Sequence, residues 1–324
     1  MDTQNSRGKQ GNPPWPVVDS PDRRDGLVYV MPQEVELAVE VALATGRPLL
    51  LRGEPGSGKS SLAAYLARER GWRYYEHVVT SRTKADDLLW TYDHVRRLSD
   101  AQVRDKGTAL VDHDYVTPGP LWWAFDPVSA AGGTAGAPRR QDPWARINKG
   151  RDPRHSVVLV DEVDKADPDM PNSLLVPLGS HQFTVSDTGE RVCRERSSGT
   201  GGFGQHLVII TTNEERELPQ AFLRRCVIVS LPEPGPDVLV DIAQAHFECY
   251  HGSFTRLEKR LARELADALQ QARTEARKLA MRAPSTAEFL DALRACKALN
   301  IGIEDERWPL LKSLTLLKPQ QPGG

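Results

Sequence analysis

The sequence predicts an α/β protein in two parts: a three-layer αβα core on a five-stranded parallel sheet, then a small all-α domain. Three observations carry this. Residues 53–60, Gly-Glu-Pro-Gly-Ser-Gly-Lys-Ser, stand between an apolar stretch at 48–52 and a helical one at 60–70 that stops at Gly71. Residues 156–160, Ser-Val-Val-Leu-Val, form a continuous apolar run that ends on Asp161-Glu162. Such a run fits a strand buried on both faces of a parallel sheet. Beyond Pro-Glu-Pro-Gly-Pro at 232–236 the pattern becomes wholly helical.

Taken in order, residues 1–26 are rich in Pro, Gly, Asn, Gln and charge and read as a disordered leader, with Trp15, Val17 and Val18 as docking points. Val35, Val39 and Leu43 recur at helical spacing over 33–45, before Gly46. This helix is either one wall of a base pocket or a simple cover for the sheet. Residues 72–80 are aromatic and β-branched, a second strand. Residues 81–150 are the least regular, with a helix expected over 86–98. Asp112-His113-Asp114 resembles a metal cluster, but neighbours on an extended chain face opposite ways. The apolar run Pro120–Phe125 presents Trp122 and Trp123, either as core or as an anchor for a partner. Residues 129–151, rich in Ala, Gly, Pro and Arg, read as a mobile surface loop.

The remaining core elements are a helix at 167–178, a hairpin at 182–194 turning at 187–189, and a flexible turn at 197–204. A buried strand at 206–212 ends at Asn213, a short helix or turn at 218–225 ends in Arg224-Arg225, and a last strand covers 226–231. Helices follow at 236–250, along Leu257, Leu261, Leu265 and Leu269, and at 285–299, where Ser285 and Glu288 form a capping box. Arg282 therefore lies in the turn ahead of that helix. The expected division is a core at 27–233, a helical domain at 234–319 and a disordered tail at 320–324.

A net charge of −2 gives no electrostatic reason to expect nucleic-acid binding. The 4 cysteines form no Cys-x-x-Cys pair, so neither a zinc site nor a disulfide framework is indicated. Without an export signal or a bilayer-length apolar segment, the expected location is the cytoplasm, with no membrane partner.

Residues 53–60 fit G-x-x-x-x-G-K-[ST], a loop whose backbone N–H groups cradle phosphates ahead of a helix N-terminus. The expected nucleotide contacts are Glu54, Pro55, Gly56, Ser57, Gly58, Lys59, Ser60, Ser61 and Asp161. Lys59 would reach the β- and γ-phosphates, and Ser60 with Asp161 would hold Mg²⁺. Two carboxylates ending a central strand assign Glu162 to the attacking water, with Asn213 to orient it. Arg282 would contact the γ-phosphate. Arg224 and Arg225 are either a solvated pair or a guanidinium offered to a neighbouring subunit.

With these motifs in this order, the chain resembles an AAA+ ATPase, and among those it is similar to the MoxR-type and dynein-related bacterial members. Residues 53–60 match Walker A, and 157–166 match Walker B and its continuation. Asn213 in Thr-Thr-Asn-Glu-Glu matches sensor 1, residues 218–225 resemble the arginine-finger segment, and Arg282 resembles sensor 2. The resemblance covers about 27–300. It departs at Arg224-Arg225-Cys226, where the family reads Asp-Arg-Phe: Arg225 aligns best, one position from Arg224. Residues 83–151, where any pore loop would lie, find no counterpart, and no metal-binding adhesion-type domain follows the helices. The resemblance implies Mg²⁺-dependent ATP hydrolysis by a homo-oligomeric ring, a hexamer, that remodels or matures a partner protein complex. The partner would be a protein client or a separate protein with an adhesion-type domain. The alternatives are a slow nucleotide-controlled assembly switch or scaffold, as in a bacterial stress or defence system, a nucleic-acid motor, and a small-molecule kinase.

Overall fold

The computed structural model describes residues 24–103, 110–132, 139–194, 204–279 and 281–316. The chain runs α1 (Gln33–Thr45), β1 (Leu49–Arg52), α2 (Lys59–Glu69), β2 (Trp72–Val78), β3 (Trp90–Tyr92), α3 (His94–Val103), β4 (Val116–Pro118), α4 (Pro120–Phe125) and α5 (Pro127–Ala130). It continues with β5 (Asp152–Asp161), α6 (Met170–Ser173), α7 (Leu175–Ser180), β6 (Gln182–Thr184), β7 (Arg191–Cys193), β8 (His206–Thr212), α8 (Gln220–Leu223) and β9 (Val227–Ser230). Four helices close it: α9 (Pro236–Tyr250), α10 (Arg256–Lys278), α11 (Thr286–Leu299) and α12 (Trp308–Thr315). None of the described helices is long and apolar enough to cross a membrane.

The main sheet has five parallel strands in the order β2-β5-β8-β1-β9. The two-residue period of a strand sends alternate side chains to opposite faces. Leu49, Leu51, Val157, Leu159, Leu207 and Ile209 face α1 and α2, where Val35, Val39, Leu62 and Leu66 meet them. Leu50, Val158, Val160, Val208 and Ile210 face α4, α6 and α7. The expected three-layer architecture is present. Trp122 and Trp123 are buried in the second of these layers, which makes them core.

The structure corrects the reading of 81–151. In place of a helix over 86–98, the chain makes a 3-10 turn (Ala85–Leu88), then β3, and only then α3. β3 pairs with β4, and Trp90 stacks on Phe183 with ring centroids 5.7 Å apart, so tertiary pairing overrides local helix preference. Asp112, His113 and Asp114 are on a 3-10 turn, where Asp112 accepts from the Tyr92 hydroxyl (2.8 Å) and Arg97 (2.7 Å). Among the described residues no three or more His, Cys, Asp and Glu side chains gather as a metal site. The stretch expected to be a mobile loop at 129–151 is tied to the core at Trp144 and Asn148. Trp144 meets Tyr75 edge-on, and the Asn148 amide accepts from Tyr74 N–H (2.7 Å) and donates to Tyr74 C=O (3.1 Å). An asparagine thus pairs with the outer edge of β2 as a further strand would.

Other differences are smaller. The helix expected over 167–178 breaks at Leu174 into α6 and α7, and α12 was not anticipated, whereas the hairpin expected at 182–194 is present as β6–β7. Most of the 197–204 turn, residues 1–23 of the leader and the tail at 320–324 lie outside the described residues. Residues 24–26, assigned to a disordered leader, are held by specific contacts described below. Leu257 is exposed, whereas Leu261, Leu265 and Leu269 pack with Leu239, Phe247, Phe289, Leu293 and Trp308 in a separate helical core.

Capping boxes start α10 (Thr255, Glu258) and α11 (Ser285, Glu288). Burial pushes the Glu258 carboxyl up, but bonds from Lys297 and Thr255 outweigh it and hold the group at about 2. A depressed folded pKa stabilises above the unfolded value, about 4.3, and the benefit disappears as pH falls from there towards 2. Glu258→Gln is expected to destabilise the helical domain by about 1 kcal/mol at pH 7. In thermal melts the gap from wild type should narrow between pH 4 and pH 2; a gap that does not change with pH would contradict the ionised cap.

Candidate active site

The glycine loop joins β1 to α2. Gly53 (φ 148°), Gly56 (φ 75°) and Gly58 (φ 91°) occupy backbone conformations that side chains resist. Gly58 precedes α2 without a side-chain cap, so the first N–H groups of the helix remain open to an anion. The Ser57 hydroxyl is buried and has no hydrogen-bond partner among the described residues. Lys59 is buried, and its ammonium donates to the carbonyls of Gly53 (2.6 Å) and Glu54 (2.9 Å). Burial lowers its pKa, while Asp161 leads the carboxylates that oppose the shift. An orphan hydroxyl, a bare helix start and a buried cation in one cradle fit a polyphosphate. Tyr29, ahead of α1, lies over Gly58, and α1 itself packs against the sheet.

Asp161, only 3% exposed, ends β5 beside this loop. Its Oδ1 accepts from the Ser60 hydroxyl (2.7 Å) and the Thr211 hydroxyl (2.7 Å). Glu162 has φ 59°, a left-handed turn that leads the chain off the strand. Its N–H donates to Thr211 Oγ1 (2.8 Å), and its carboxylate accepts from Asn213 Nδ2 (3.2 Å) and Lys165 Nζ (2.6 Å). Lys59, Ser60, Asp161, Glu162 and Asn213 thus form one cluster built by the β1–α2 loop and the ends of β5 and β8. The oxygen donors of Ser60 and Asp161 suit Mg²⁺.

The arginines are placed differently. Arg282 pairs with Glu288 (3.8 Å) in the turn before α11. That turn docks on the glycine loop: a Cβ on Gly56 would lie 2.6 Å from Ser285 Oγ. Arg224 and Arg225 are exposed at the other end of the sheet, where Val227 pairs with Leu49 at the start of β1. The length of β1, about 13 Å at 3.3 Å per residue, separates them from their own glycine loop. Arg47 donates to the Arg224 carbonyl (2.8 Å) and holds that corner.

Thr211 and Arg24 escaped the sequence reading, and Asp164 and Lys165 entered it only as the continuation of the acidic pair, without a role. Thr211 sits inside a strand that was read only for its apolar run. Asp164 and Lys165 directly follow the acidic pair, and that adjacency was the available signal. Arg24 carried none. Its guanidinium donates to Asp161 Oδ2 (2.9 Å) and Glu76 Oε2 (3.3 Å). Burial lowers the Arg24 pKa, but the Asp161 and Glu76 carboxylates outweigh it and leave it raised.

A parallel sheet of this order carrying this loop defines a P-loop nucleotide-binding core. The chain belongs to the AAA domain family, dynein-related subfamily, which it matches over residues 48–226. At the family level this brings nucleotide binding and ATPase activity, usually with Mg²⁺, and commonly an oligomer. No curated protein matches the chain. A crystal structure from Cytophaga hutchinsonii, described as a candidate ATPase, is similar at 14% identity and a TM-score of 0.40, covering 82% of this chain and 74% of that one. That likeness is too distant to carry an argument.

Gly56→Ala puts a methyl group against Ser285 in a left-handed backbone conformation, at a cost of about 1–2 kcal/mol before any clash. It is expected to lift the helical domain from the loop. Faster limited proteolysis at 232–236 would report this; an unchanged cleavage rate would contradict the docking.

Proposed function

We propose that this protein is a Mg²⁺-dependent ATPase of the MoxR type that works as a ring, a hexamer, with active sites shared between subunits. One observation supports this most. Lys59, Ser60, Asp161, Glu162 and Asn213 converge at one end of the sheet, while Arg225 is presented to solvent at the other end. The glycine loop with Lys59 binds the triphosphate. Ser60 and Asp161 are the residues that would hold Mg²⁺, which supplies positive charge to the transferring phosphoryl group. Glu162 takes the proton of the attacking water, and Asn213 holds Glu162 and that water in register. Arg225 of a neighbouring subunit, with Arg282 of the docked helical domain, balances the charge of the transition state. Arg224 keeps the corner in place through its carbonyl.

The helical domain touches the loop through Ser285, so turnover would be felt there and passed on as movement against a protein client. The client, including one with an adhesion-type domain, and a cytoplasmic setting are proposed by analogy with the family. A second reading, a slow assembly switch, is favoured by the Lys165–Glu162 ion pair at 2.6 Å, which occupies the general base.

Glu162→Gln is expected to bind ATP, lose turnover by about 100-fold or more, and accumulate as rings in particle images. Undiminished hydrolysis would sink the assignment. In the same assay, mixing Arg225→Ala with Lys59→Ala should restore part of the rate; no recovery would place each site within one subunit. A rate per subunit that rises with protein concentration supports the ring.

A further inference from the structure

We infer that Asp164 is the residue that positions Asn213 against Glu162. This rests on the ATPase reading above. Asp164 is 3% exposed, and its Oδ2 accepts from two backbone N–H groups, Asn213 (3.2 Å) and Glu215 (3.0 Å). Glu214, between them, has φ 59°, which turns the two N–H groups inward as a small anion-binding nest. Asp164 Oδ1 has no hydrogen-bond partner among the described residues, so the hydrogen bonds of this buried carboxylate run through Oδ2, while its charge also acts on Lys59. The two loops carry matching strain, since Glu162 is also left-handed at φ 59°. Asp164 therefore ties the loop bearing the acid to the loop bearing the amide, and the 3.2 Å contact from Asn213 to Glu162 depends on that tie.

In the full chain, Asp164→Ala is expected to lower kcat about 100-fold while ATP affinity stays close to wild type. Asp164→Asn, whose amide oxygen still accepts both N–H groups, should keep most of the rate. Adding Glu214→Gly to Asp164→Ala should restore part of kcat, because glycine adopts the positive φ without help. The exposed Arg52–Glu214 pair at 3.6 Å lost in that variant matters little. Hydrogen exchange at the Asn213 and Glu215 amides reads the same contact without turnover, protected in wild type and open in Asp164→Ala. Equal losses of kcat and ATP affinity, or amides still protected in Asp164→Ala, would overturn the assignment. A wild type without hydrolysis would overturn the ATPase reading instead, and the amides would still judge the contact.

A separate observation carries a second inference: Arg24 stands in a cation's place at Asp161 and leaves it when the divalent ion is taken up. Two cations against one buried carboxylate repel strongly at low dielectric. The arginine is delivered by a built segment. The Tyr250 hydroxyl of α9 donates to the Asp25 carboxylate, lying 2.9 Å from each of its oxygens, and Gly26 (φ 67°) runs so close to α2 that a Cβ would lie 2.3 Å from the Ala64 carbonyl oxygen. Release of Arg24 would thus loosen a tie between the nucleotide site and the helical domain. The test titrates MgCl₂ against a fluorescent ATP analogue bound to the full chain. Arg24→Ala should bind the analogue in EDTA as wild type does, yet reach its magnesium midpoint at severalfold lower concentration, with Tyr250→Phe shifted the same way. An unmoved midpoint in Arg24→Ala overturns the inference, and no binding by wild type overturns the nucleotide reading beneath it.

Discussion

A buried carboxylate, Asp161, is the constraint on which the rest of this structure depends. A carboxylate that is 3% exposed is tolerated only when its oxygens are bonded. Two hydroxyls, from Ser60 and Thr211, meet one oxygen, and the Arg24 guanidinium meets the other. Each partner comes from a different element, so this one side chain draws the glycine loop, β8 and the N-terminal segment to the end of β5. The parallel order β2-β5-β8-β1-β9 makes this possible by setting the ends of β5, β8 and β1 side by side.

The helical domain is joined to that centre through backbone contacts. Arg273, buried within α10, donates to the carbonyls of Pro234 (3.0 Å) and Pro284 (3.0 Å). It therefore grips the linker and the turn before α11 at once. That turn carries Ser285, whose side chain lies over Gly56, and Arg282 a few residues earlier. The stiff proline linker, the buried arginine and the capped helix start fix the turn that carries Arg282.

The two ends of the sheet carry different chemistry. The glycine loop, the paired acids and the amide gather where the parallel strands finish. The exposed arginines gather where β1 and β9 begin. A guanidinium on that corner stands about the length of β1 away from the glycine loop of its own chain.

Much of this was legible in the residues alone because it is local. The apolar runs of β1, β5 and β8, the glycines of the loop and the box at Ser285 and Glu288 each depend on neighbours a few positions away. The paired acids and Asn213 could be read from where they fall at strand ends. Tertiary structure alone decided the remainder. Asn148 seals β2, Trp90 stacks on Phe183, Asp164 grips the loop after β8, and Arg24 reaches Asp161. These contacts span tens of residues or more of chain, and each is a single polar or aromatic side chain with no periodicity to announce it, so only the folded arrangement of the strands brings the partners together.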